Sequence, residues 1–477
     1  MNLPTPYRRW MTHPIDADAV GRYLCPMTQK MTPPKVEVSH RPLSLGETAR
    51  KARRNVLEIL PGLIFRQPMV SGRMIKRWHM VADPDALERI LKTRADDYPK
   101  SPVTKRLLQP AIGESLFNAD GAHWRWQRRA AAPVFQHRHL MALTPTMSEA
   151  AARAVERVGE EARTTGGAEM YEQMIAATFD VICDVALSGR ETLDRVAVSK
   201  SINEYIETVG RISLLDVLGV PTWVPRPATL LRRRSTSVMR NMMDGVIRER
   251  AGREPGTDLL DLMRGASDPD SGRQMTAEEL RDNMLAFIVA GHETTALALA
   301  WSIHLLALDQ DAQDRARAEA IAVIGQGPAE GGHLGDLTFT GQVIDESLRL
   351  YPPAAFLARI ALEPDKLCGR PILRDDIVML PIYALHRHEA LWDAPDEFRP
   401  ERFTPEAKRA MHRYQYLPFG AGPRICIGMG FAQMEAKLIL ASLLVRWRFT
   451  PQGPAPTPAM NLTLRPQGGV NVKVEAV

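Results

Sequence analysis

The chain is short of most features that would settle its class outright. Its 477 residues hold only four cysteines, Cys25, Cys183, Cys368 and Cys426, none in CxxC or CxxH spacing. That excludes a disulfide framework and a structural zinc site, and it fits a reducing compartment. An excess of one charge is also missing. Sixty-one Lys and Arg against 56 Asp and Glu leave a net charge of +5, too little on a chain this long to argue for nucleic acid. No internal repeat and no low-complexity tract is present, which excludes solenoids, propellers and biased linkers. Arg8 and Arg9 imitate a twin-arginine signal, but His13, Pro14 and Asp16 follow where an apolar stretch would have to begin. No signal peptide or membrane anchor is read, and a soluble, cytoplasmic protein is expected.

What is present is an ordinary globular balance, 45% hydrophobic and 25% charged. Apolar residues recur at three- and four-residue spacing over 146–163 and 311–325, the pattern of amphipathic helices. Strand-like pieces are fewer: 79–82, 377–381 and 470–474. Pro- and Gly-rich connections at 218–227, 325–336, 391–405 and 451–458 are too short to link independent domains. The expected fold is therefore mainly α with a minor β-sheet. A single large domain over 41–477 follows an irregular segment at 1–40.

One stretch, 284–308, is apolar enough to be mistaken for a membrane span. It opens on a capping box, Thr276 with Glu279, and Met275 and Leu280 are placed for a hydrophobic staple. Its middle reads Ala290-Gly291-His292-Glu293-Thr294-Thr295. An ionised group at the centre of a lone membrane helix costs roughly 2.5–3.5 kcal/mol. A soluble helix through the protein interior, on the order of 50 Å long at 1.5 Å per residue, avoids that cost if the polar patch faces a cavity.

The chemistry concentrates around Cys426. In Phe419-Gly420-Ala421-Gly422-Pro423-Arg424-Ile425-Cys426-Ile427-Gly428, three glycines and a proline describe a tight loop that aims one sulfur. A helical pattern follows from about 430 to 447, and its N-terminal partial charge favours a thiolate. Such a thiolate can hold haem iron and push electron density toward bound oxygen. The bland alternatives are a buried structural cysteine or a nucleophile. No GxCxG elbow and no evident histidine partner support the second.

This loop resembles the haem-binding signature of the cytochrome P450 family, with Cys426 at the position of the axial iron ligand. The resemblance implies the cytochrome P450 fold and haem b (iron protoporphyrin IX) as cofactor. It places Phe419, Gly420 and Arg424 of the loop against that cofactor. It also matches the middle of the long helix to the family's oxygen-activation motif, with Ala290 and Gly291 leaving room and Glu293 and Thr294 as the acid–alcohol pair. Splitting O2 requires protons in a mostly dry pocket, which a hydroxyl beside a carboxyl can order. The thiolate and oxygen fill both axial positions, so His292 is expected to point away from the iron. Trp124 and Arg128, four apart on one helix face, match positions that meet haem propionates, as do Arg424 and Arg359; a guanidinium fork suits a carboxylate. Glu346, Arg349 and Arg402 match the family's structural Glu-Arg-Arg set.

The resemblance further implies a substrate pocket walled by a loop at 101–116, by 212–223, by the long helix, by 354–357 and by 461–464. Leu214, Leu215, Val217, Phe356 and Leu462 make most of that wall apolar, so the substrate class is lipophilic: fatty acid, terpenoid, steroid or aromatic. O2 is the co-substrate. With no flavin or iron–sulfur module in the chain, electrons are expected from a separate ferredoxin or flavodoxin and its NAD(P)H reductase, docking near Arg125 and Arg129. No nucleic acid partner is expected, and the protein is expected to be a monomer. The rival readings are a peroxide-dependent hydroxylase, a lipid-oxide isomerase or dehydratase on the same haem, and a non-catalytic gas sensor or electron carrier. None of these explains the Glu293–Thr294 pair.

Overall fold

Helix dominates because the apolar residues recur at helical spacing through most of the chain. A computed structural model describes residues 32–73, 76–187, 201–202, 204–205, 228–254, 256–460 and 462–477, the side chains of Leu45, Ala49 and 228–235 excepted. The 212–223 wall segment, Asn461 and the connection at 218–227 lie outside the described residues. We number the principal helices α1 (Leu45–Arg54), α2 (Pro102–Ile112), α3 (Gly121–Ala131), α4 (His137–Thr165), α5 (Met170–Leu187), α6 (Ala228–Arg250), α7 (Ala277–Leu308), α8 (Gln310–Ile324), α9 (Thr338–Leu350) and α10 (Met429–Arg446). Short helical turns lie between them.

The capping box forms as expected. Glu279 N–H donates to Thr276 Oγ1 at 3.2 Å, and Thr276 N–H to Glu279 Oε2 at 3.0 Å. From there α7 runs 32 residues, about 48 Å, packed along α5 and flanked by α9 and α10. It is long and apolar enough to cross a membrane by length and composition, but most of its apolar length is buried within the protein. Asp309 ends it and starts α8, accepting Ala312 N–H at 3.1 Å.

The segment at 101–116, expected as a loop, is mostly helix α2. Ser101 Oγ accepts Val103 N–H at 3.3 Å and Pro102 occupies the first turn, which is start-signal chemistry hidden in a Pro-containing stretch. Four strands make the main sheet: β1 (Met69–Arg73), β2 (Arg77–Val81), β3 (Leu357–Ile360) and β4 (Ile377–Leu380), in the order β1-β2-β4-β3. Only β2 and β4 run parallel, with Trp78 opposite Ile377. Near the C-terminus lie β5 (Trp447–Pro451), β6 (Thr457–Met460), β7 (Leu464–Gln467) and β8 (Asn471–Ala476). β6 and β7 form an antiparallel hairpin, and β5 pairs with β8.

Behind the Cys426 loop, α9 carries a fully buried ion pair. Arg349 Nε donates to Glu346 Oε2 at 2.7 Å and Nη2 to Oε1 at 2.8 Å. Arg402 Nε stands 3.4 Å from the same carboxylate, so the three residues do assemble.

Candidate active site

The Cys426 loop is a short 3-10 turn, Gly422–Arg424, leading into α10. Cys426 N–H donates to Phe419 O at 3.0 Å and closes the loop. Gly422 has φ +69°, and a Cβ there would lie 1.9 Å from the Leu91 carbonyl oxygen. Gly420 shares φ +69° but faces open space. Gly422→Ala is therefore expected to cost about 2–4 kcal/mol, from backbone strain plus overpacking. Gly420→Ala, with strain alone, should cost only about 1–2 kcal/mol. Urea unfolding of the two variants side by side checks the difference.

The sulfur faces a groove of about 800 Å³ whose walls include Arg128, Leu140, Met429, Met434 and Lys437. Burial raises the thiol pKa, against the opposing pull of the Gly428 N–H and of Arg128. The Gly428 N–H at the helix start thus favours the thiolate, as expected, while desolvation opposes it. A bound cation would reverse that balance, since coordination deprotonates a thiol outright.

On α7 the cavity face is narrow. Ala290 is exposed and Phe287, Val289, Gly291 and Thr294 are half-buried, whereas most of the helix beyond them is buried. Thr294 Oγ1 donates to Ala290 O at 2.8 Å and Thr295 Oγ1 to Gly291 O at 3.2 Å. The helix stays continuous through this point. His292 turns the other way, edge-on to Phe179, with Nδ1 3.0 Å from Ile288 O; burial lowers its pKa. Glu293 is not on the cavity face. It is buried against Arg465 and Tyr171.

The cationic side of the site is richer than the sequence implied. Arg424 lies over the Trp124 ring at 4.4 Å and donates to Ala119 O at 2.9 Å, and it pairs with Asp120. Residues 99–101 run beside β3, with Ser101 N–H donating to Ala358 O at 3.2 Å and Lys100 opposite Arg359. Lys100 donates to Phe117 O and lies over the Phe117 ring, and Arg359 donates to Ala358 O. Lys105 pairs with Asp120, so four cations share one carboxylate. Burial, with neighbouring positive charge, pushes Arg359 down to about 10 and Lys100 well below its usual range. Arg128 is likewise lowered by burial, and Cys426 is the one group that favours its charge. Lys100 and Lys105 carried no signal in sequence; only the pairing of 99–101 with β3 brings Lys100 to Arg359. Such a cluster fits a bound dianion.

The family model for cytochrome P450 covers residues 67–474. This chain belongs to the cytochrome P450 family. It is 29% identical to cyclooctatin synthase of Streptomyces melanosporofaciens over 89% of this chain and 93% of that protein. It is 34% identical to cytokinin hydroxylase of Arabidopsis thaliana over 76% of this chain and 71% of that one. Among solved structures, a cytochrome P450DA haem domain matches at TM-score 0.76 and 27% identity, over 86% of this chain and 90% of that one. As a cytochrome P450 the chain is a haem monooxygenase with haem b as cofactor. The residues present would fit that group: Cys426 would hold its iron, and Trp124, Lys100, Arg359 and Arg424 would meet its two propionates.

Arg125 and Arg129, expected as a docking patch, are met by local acids. Arg125 pairs with Asp96 at 2.8 Å, and Arg129 with Asp268 at 2.7 Å and Asp270 at 3.0 Å.

Proposed function

We propose that this cytochrome P450, through a haem domain over 41–477, inserts one oxygen atom from O2 into a lipophilic small molecule. A fatty acid, terpenoid, steroid or aromatic compound fits the description. The observation that carries the reading is the break in burial at the middle of α7, where Ala290 is exposed and Phe287, Val289, Gly291 and Thr294 are half-buried in a mostly buried helix. Leu116, Phe356 and Leu462 are apolar and buried or half-buried where the wall is expected. They favour a ligand that gives up little hydration. The relatives' names concern different molecules, so local side chains, not family membership, carry the substrate assignment.

Bound haem supplies the redox chemistry, with the Cys426 thiolate favouring O–O cleavage. The chain's own part is to orient and to manage protons. Thr294 spends its hydroxyl proton on Ala290 O, which leaves its oxygen lone pairs to accept from a water in the cavity. Trp124, Arg128, Arg359 and Arg424 orient the cofactor, and Phe419 and Gly420 shape the loop beneath it. Electrons come from a separate acidic donor, a ferredoxin or flavodoxin with its NAD(P)H reductase. The groove at Cys426, edged by Arg128, His137, Lys408 and Lys437, suits it better than Arg125 and Arg129 do.

Thr294→Ala is expected to keep haem and its ferrous–CO band but to lower product formed per NAD(P)H about tenfold, with peroxide released instead. Fully coupled turnover in that variant would refute the role of the hydroxyl. It would return the peroxide-using and isomerase readings to the front. A screen of lipophilic compounds for shifts of the haem spectrum identifies the substrate class.

A further inference from the structure

Glu293 sits about 100° round α7 from Thr294, and what holds it there is the C-terminal hairpin. Arg465 Nε donates to Glu293 Oε1 at 2.6 Å and Nη2 approaches the same oxygen at 2.5 Å. The Tyr171 hydroxyl donates to it at 3.2 Å. The Glu293 side chain is 3% exposed and that of Arg465 19%, so the pair is screened little by water. Burial and the neighbouring Glu293 charge raise the pKa of Tyr171, so it remains a donor.

Arg465 stands on β7, one residue past Leu464, and the bend at 462–463 immediately precedes that strand. Trp301 Nε1 donates to Leu464 O at 3.2 Å, fastening the strand to α7 two turns beyond Glu293. Leu464 N–H donates to Pro353 O at 3.0 Å, which sets the end of the bend beside the 354–357 wall. One side chain thus joins a bend at the substrate wall to the acid next to Thr294.

We propose that Arg465 is a positioning residue that makes proton delivery depend on substrate, a role that rests on the monooxygenase reading above. With the hairpin undisturbed, Arg465 keeps Glu293 against Tyr171 and off the cavity face. A lipophilic molecule seated against the 462–463 bend shifts the hairpin and frees the carboxylate. Glu293 then takes one proton from water and passes it to the water held by Thr294. One proton moves inward, only O–H bonds break and form, and no electrons are transferred in the step.

The test uses the haem-loaded full chain with a surrogate ferredoxin and its NADPH reductase, and no lipophilic compound. Arg465→Met should raise NADPH oxidation about tenfold over the parent. Adding Glu293→Gln to it should return the rate to within about twofold of the parent. The double variant leaves no unpaired carboxylate at position 293, and equal far-UV circular dichroism and haem content in the single and double variants exclude a fold defect as the cause of the leak. If Arg465→Met does not fold, Arg465→Lys serves in its place, expected at about threefold because one ammonium cannot make both contacts. In the cofactor-free chain, amide exchange across 462–467 should rise about fivefold in the single variant. An Arg465 variant at the parent rate, a double variant that still leaks, or unchanged exchange overturns the proposal. A parent lacking the thiolate ferrous–CO band fails the monooxygenase reading itself, whereas a parent with the band and an Arg465 variant at parent rate fails this proposal alone.

Discussion

Cys426→Ala is expected to abolish the red-shifted ferrous–CO band completely and to leave no detectable NAD(P)H-driven oxygenation. The expectation follows from how much else stays in place. The cations at Lys100, Arg359 and Arg424 are built by the 99–101 segment, β3 and the Gly422–Arg424 turn, none of which needs the sulfur. Removing the sulfur leaves the loop closed, because the bond to Phe419 O comes from the Cys426 main chain. Haem uptake should therefore weaken without disappearing, and the residual complex should lack thiolate character. Absorbance of the reduced protein under CO reads this directly. A variant that keeps the shifted band would remove Cys426 from the iron.

The second large effect is on stability. Arg349→Ala should cost about 3–5 kcal/mol, because it strands the Glu346 carboxylate in a site with no exposed surface. Arg349 also donates to three main-chain carbonyls of the segment that follows, His386 O at 2.8 Å, Pro395 O at 2.7 Å and Glu397 O at 2.9 Å. Its loss leaves those acceptors unpaired as well. Arg402, at 3.4 Å from Glu346, is too far to replace it with a full hydrogen bond. Urea unfolding monitored by far-UV circular dichroism measures the loss. Arg402→Ala is the control and should cost clearly less, since the bidentate pair remains.

Between these two residues lies the difference between local and non-local information. The loop chemistry of Cys426, the capping box of α7 and the helix carrying Glu346 and Arg349 were legible because their residues are close in sequence. Helix α2 was missed because a Pro-bearing stretch reads as irregular, although Ser101 and Pro102 form a start signal. Lys100 was missed because nothing within ten residues of it distinguishes it from any surface lysine. The acids that meet Arg125 and Arg129 were not foreseen for the same reason, since Asp96, Asp268 and Asp270 are remote in the chain.

Residue order alone was enough to identify the family, because motif spacing and helical period are short-range properties of the backbone. Which charges are neutralised was settled by packing. Glu293 meets an arginine 172 positions away, and Arg359 meets Lys100 through a pairing of distant segments. Electrostatic partners are fixed by distance in space and by the water that folding removes, and neither quantity is written along the chain.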